Sequence, residues 1–109
     1  MHELALTQSV VDAISDRIPD RRVARVCLEV GRLIAVVPSA MRFCFDACAK
    51  GTPLEGAVLE IHEIPARARC RSCARESELE GPIPLCSCGS ADVELMSGNE
   101  LRIKEVEVS

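Results

Sequence analysis

Four cysteines near the C-terminal end have the clearest spacing for chemistry. Cys70-Arg-Ser-Cys73 and Cys86-Ser-Cys88-Gly89 place two thiolate pairs at the tips of two turns, the pattern of a zinc ribbon. Four thiolates held about 2.3 Å from zinc leave no open position, so Cys70, Cys73, Cys86 and Cys88 predict a structural ion that activates no water. The segment 66–97 is too poor in apolar residues to build its own core, and ligation can supply on the order of 10 kcal/mol towards its folding. Arg67, Arg69, Arg71 and Arg75 surround the first pair and can offset the excess negative charge of a zinc tetrathiolate. One residue separates Cys86 from Cys88 where an ordinary ribbon knuckle has two, so this turn is expected to wrap its amides less fully around sulfur. A redox CxxC usually opens a helix within a βαβ unit, and neither feature is legible here.

The remaining cysteines and both histidines carry weaker signals. Cys44 and Cys48 stand four apart on a predicted helix and can pair on a metal, but a free cysteine in an apolar stripe is ordinarily a small core residue. Cys27 reads as inert on the outer face of a strand, partly exposed, and His62 as solvated, with an auxiliary metal or partner role as the minor alternative. His2 alone is weak, since histidines near a chain end are mostly solvated. The chemistry is nonetheless present: a terminal amine, a deprotonated backbone amide and an imidazole one residue along form fused chelate rings, which nickel(II) favours. His2 is too bulky for the usual trimming, so the amine is that of Met1, and Glu3 adds a carboxylate or a second amide.

Composition narrows the class. Apolar residues make up 48% of the 109, with no Trp, no Tyr and only Phe43 and Phe45, so the core must be aliphatic. A net charge of -4 with almost no aromatic residues argues against nucleic acid as a partner. No window approaches the roughly 18 apolar residues of a membrane span, and the start lacks a signal-peptide pattern. The expectation is a soluble cytoplasmic protein with no membrane partner, its seven cysteines kept reduced. No nucleophile, base and orienting group recur together, and there is no phosphate loop, so no enzymatic activity is expected.

Two helices and a few strands must position these groups. Leu4, Thr7, Val11, Ile14 and Ile18 recur at helical steps until Pro19 ends the run. Ala24, Val26, Leu28 and Val30 alternate in a strand stopped by Gly31. Pro38 opens a second helix with Ala40, Phe43, Cys44, Ala47 and Cys48 on its stripe, ended by Gly51. Ala57, Leu59 and Ile61 alternate in a strand that Pro65 interrupts. Val93 and Leu95 predict a short strand. Leu101, Ile103, Val106 and Val108 predict a last one, with a change of phase that predicts a bulge or twist. The run Glu76, Glu78 and Glu80 reads as a wet face. The class is α+β: two helices packed on a small three-stranded mixed sheet, with an inserted zinc-ribbon domain at 66–97 and the main domain formed by 1–65 and 98–109.

Met1-His2-Glu3-Leu4, Val30-Gly31, Phe43-Cys44-Phe45-Asp46, the cysteine segment from Cys70 and Gly98-Asn99-Glu100-Leu101-Arg102-Ile103 together resemble the HypA/HybF family of hydrogenase nickel metallochaperones over the whole chain. The family's second cysteine pair is commonly Cys-Pro-x-Cys, from which Cys86-Ser87-Cys88 departs. The resemblance implies transient nickel(II) bound by His2 with Met1 and Glu3 nearby, and structural zinc(II) on Cys70, Cys73, Cys86 and Cys88. It further implies delivery, with a hydrogenase-maturation GTPase of the HypB type, to the [NiFe]-hydrogenase large subunit precursor. Two other classes remain: a zinc-ribbon adaptor that only holds protein partners, and a thiol enzyme using Cys70 and Cys73, which requires a reactive low-pKa thiol.

Overall fold

The computed structural model describes residues 2–79 and 85–109. Helix α1 spans His2–Arg17. Thr7, Val10, Val11 and Ile14 are buried on it, the i, i+3, i+4, i+7 set of one helical face. Thr7 is fully buried because its hydroxyl donates to the Glu3 and Leu4 carbonyls at 2.8 and 3.1 Å. The predicted stripe frays at its start, where Leu4 is exposed.

Helix α2 spans Pro38–Ala49 with proline in its first turn, and it packs against α1. Its buried row is Met41, Phe45 and Ala49. The expected stripe is therefore rotated: Phe43 is 76% exposed and Ala47 is exposed, while Cys44 and Cys48 sit half-buried at the edge. Apolar residues occupy most of this helix's circumference, so periodicity could not select a face and packing against neighbours did. After Lys50, Gly51 adopts a φ of 77°, which ends the helix at little steric cost.

Strand β1 (Val23–Gly31) is central in a three-stranded sheet, flanked by β2 (Val58–Ile64) and β6 (Leu101–Val108). Being central, it buries consecutive residues Val26, Cys27 and Leu28 rather than alternate ones. Cys27, expected to be partly exposed, is only 4% exposed. Gly31 continues the strand as its last residue, and its N–H donates to the Glu100 carbonyl at 2.7 Å. Along β6 the half-buried positions shift phase at the exposed pair Lys104-Glu105, where the sequence pattern breaks.

The remaining strands, β3 (Arg67–Cys70), β4 (Glu76–Glu78) and β5 (Val93–Ser97), make a second sheet of order β4-β3-β5. Both pairings are antiparallel, and the β3–β5 register shifts between Arg67 and Ala68. Ala66, Ala68 and Leu79 form its small core, with Leu33 and Val93 packed against them. Arg67 stands opposite Glu78 and Arg69 opposite Glu76, so Glu76 and Glu78, read as a wet face, are the cross-strand partners of the arginines. Glu80 lies outside the described residues.

The chain divides into two compact units. One comprises Met1–Leu28, Val36–His62 and Arg102–Ser109, and the other Glu29–Ala35 and Glu63–Leu101. Among the described residues, no helix is long and apolar enough to cross a membrane.

Candidate metal centre

Strands β3 and β4 are joined by a turn that carries Cys70 and Cys73. The Cys70 N–H donates to the Arg75 carbonyl at 2.9 Å and the Ala74 N–H to the Cys70 carbonyl at 2.8 Å, with Ala74 in the left-handed region at φ 61°. The second turn closes through the Cys86 N–H on the Ser90 carbonyl and the Gly89 N–H on the Cys86 carbonyl, both at 2.9 Å. Gly89 sits at φ 93°, which a side chain would strain. Between the two turns, Arg71 Nη1 donates to Asp92 Oδ1 at 3.0 Å, Ser72 Oγ lies 2.9 Å from Ser90 Oγ, and Arg75 Nη1 donates to Ser87 Oγ at 3.2 Å.

This brings all four predicted sulfurs together, within 4.8 Å of one another. Cys70 and Cys88 Sγ stand 3.7 Å apart, and Cys73 and Cys86 Sγ 3.6 Å. These separations exclude disulfides and match the roughly 3.8 Å edge of a tetrahedron whose sulfurs lie about 2.3 Å from a central ion. Cys70 and Cys86 are buried, Cys73 and Cys88 exposed. The donor set fits a tetrathiolate ion, which Cys70, Cys73, Cys86 and Cys88 would hold, and such an ion would cross-link the two turns.

Backbone amides favour that outcome. The Cys73 N–H, and less strongly that of Ser72, hold the Cys70 thiol down at about 6 against desolvation. The Cys88 N–H lowers Cys86 in the same way, so the shortened pair still aims an amide at sulfur. At Cys88 the Ser90 N–H pulls downwards, but the Cys86 and Cys70 sulfurs and desolvation together push it up to about 11. The arginines spend much of their charge elsewhere: Arg69 pairs with Glu76 at 2.8 Å and Arg71 with Asp92.

At the other end of the chain, α1 begins at His2. Met1 and the His2 side chain lie outside what is described. Glu3 Oε2 accepts the Val37 N–H at 3.1 Å, and this bond holds the Glu3 carboxyl below its ordinary value. Cys44 and Cys48 join no group of three or more metal donors among the described residues, and Cys48 Sγ lies 3.7 Å from Thr7 Oγ1. A group that sequence reasoning missed is Cys27, Glu60 and His62, whose donor atoms also lie within 4.8 Å of one another. Its only sequence signal was two adjacent strands bearing donors at alternate positions, and the pairing that unites them is non-local.

Comparison with known proteins shows the family. The sequence profile described as "Hydrogenase/urease nickel incorporation, metallochaperone, hypA" matches residues 1–108. The chain belongs to the HypA family. The hydrogenase maturation factor HypA of Nostoc sp. is 52% identical over 108 residues, covering 99% of this chain and 96% of that protein. That of Geobacter metallireducens is 47% identical over 109 residues, covering 99% of each. The solution structure of the Ni metallochaperone HypA from Helicobacter pylori shares the fold, with a TM-score of 0.71 over 97% of this chain and 96% of that one at 20% identity. The α+β class expected from sequence is the fold found. The family to which the chain belongs is described as one of hydrogenase/urease nickel incorporation and metallochaperones.

Proposed function

We propose that this HypA-family chain binds nickel(II) through Met1, His2 and Glu3 and delivers it, with a partner GTPase of the HypB type, to the precursor of the [NiFe]-hydrogenase large subunit. The observation that carries this reading is the whole-chain match to a nickel-incorporation family, which begins at residue 1. Curated relatives named for hydrogenase maturation favour hydrogenase as the client. Chemistry supports the site. A helix that starts at His2 leaves the first-turn amides outside its own i→i−4 ladder, where one can deprotonate onto nickel. Glu3, kept anionic by Val37, adds a carboxylate beside the chelate.

In the same proposal Cys70, Cys73, Cys86 and Cys88 hold zinc(II), which staples the second unit and takes no part in transfer. The protein acts in the cytoplasm, where thiols stay reduced. Nickel cargo must leave again, and a site at a chain end is easily approached and cheap to distort.

Nickel titration of zinc-loaded, untagged protein tests the reading against His2→Ala and a version with one added N-terminal residue. Unmodified protein should show a nickel-binding step that depends on the N-terminus, and in the other two that step should be at least tenfold weaker. Equal binding by all three would overturn the site and favour a zinc-ribbon adaptor without a nickel role. Delivery is tested by nickel transfer to a purified large-subunit precursor, which should need both this chain and the GTPase.

A further inference from the structure

Cys27, on β1, and Glu60 and His62, two apart on the neighbouring β2, place a thiol, a carboxylate and an imidazole on one face of the first sheet. Their donor atoms all lie within 4.8 Å of one another. His62 Nε2 stands 2.9 Å from Glu60 Oε1, while Glu60 Oε2 accepts from Arg25 Nη1 at 2.7 Å, and Arg25 also donates to Glu105. Cys27 is nearly buried beneath a half-exposed His62.

We propose that Cys27, Glu60 and His62 form a further binding site for one late first-row divalent cation, distinct from the four-cysteine group and from the N-terminus. Mixed sulfur, nitrogen and oxygen donors are the set that borderline ions such as zinc, nickel and cobalt take. Ligands bonded at about 2.0 to 2.3 Å to a tetrahedral ion stand about 3.3 to 3.8 Å apart, so the widest pair need close by no more than about 1.5 Å while the His62–Glu60 pair opens slightly from 2.9 Å. The half-exposed His62 ring has the freedom to do so.

On binding, the ion takes the place of the His62–Glu60 hydrogen bond, and the Cys27 thiol gives its proton to solvent. Thiolate and carboxylate then balance the two positive charges. Arg25 keeps Glu105 as its counter-charge and, through Oε2, keeps the Glu60 carboxylate turned so that Oε1 faces the other donors. Three protein ligands leave the solvent side for water, which makes this an exchangeable site, unlike a closed tetrathiolate. A surface ion-pair cluster contributes little stability by itself and gives no reason for a thiol beneath it.

Cobalt(II) titration tests the proposal without reference to the N-terminal nickel site. The protein carries one added N-terminal residue and one equivalent of zinc, whose retention is measured in the same sample. A second ion should bind with a thiolate-to-cobalt charge-transfer band and the intense visible absorption of tetrahedral cobalt. Cys27→Ser should abolish the charge-transfer band. His62→Ala, at an exposed position that leaves folding intact, should weaken binding at least tenfold. Absence of any ion beyond the zinc, persistence of the band in Cys27→Ser, or an affinity unchanged in His62→Ala would each overturn it.

Discussion

Single residues set what this chain can bind and what it can tolerate. Three of the four ribbon sulfurs have amides aimed at them in turns whose shapes depend on Ala74 and Gly89 at positive φ. The cysteine spacing made that centre legible, because ligand identity and interval are local properties. Phe43 and Phe45 show the reverse. They are two apart on α2, yet Phe45 is fully buried and Phe43 is 76% exposed. Phe45→Ala should cost about 3 to 5 kcal/mol of unfolding free energy in a denaturant titration. Phe43→Ala should change it by no more than about 0.5 kcal/mol. The opposite ranking would mean that the expected stripe, and not the observed one, faces the core.

Elements are joined by close approaches that small residues permit. A Cβ on Gly31 would meet the Gly98 carbonyl carbon and oxygen at 2.2 Å, and one on Gly98 would meet Ala66 Cα at 2.4 Å. Gly98 also stands at φ 104°. Gly98→Ala combines overpacking against backbone with left-handed strain and should cost about 3 kcal/mol or more. Gly51→Ala, at φ 77° with nothing within 4 Å, should cost about 1 kcal/mol. Equal losses in thermal or chemical unfolding would show that backbone strain alone matters at both. The β3–β4 hairpin makes a further test: a double-mutant cycle on Arg69 and Glu76, both half-exposed, should return a coupling below about 1 kcal/mol. Arg-x-Arg and Glu-x-Glu on either side of a CxxC turn were the available sign of that hairpin. Their meaning depended on register, which the charges alone do not reveal.

At the scale of the whole molecule, the two compact units differ in what stabilises them. The first buries Val10, Val11, Ile14, Met41, Phe45 and Leu54, each contributing about 1.5 to 3 kcal/mol by removal from water. In the second, the buried cluster among the described residues is Ala66, Ala68 and Leu79 with two partly buried neighbours, much smaller side chains than those buried in the first. Chelation of the zinc proposed for the four cysteines should therefore collapse amide-exchange protection at Arg69, Cys70 and Arg71 while Val26 and Leu28 stay protected; uniform loss would mean that the units unfold together. The sequence by itself determined the α+β class, the family and which four cysteines come together, because each rests on local spacing or on matching residue types. Only the tertiary structure decided which face of α2 is buried, that Cys27 lies inside, how the arginines pair with Glu76 and Glu78, and that Cys27 meets Glu60 and His62. Each of those depends on which strands and helices become neighbours, and that is settled by packing between segments distant in the chain.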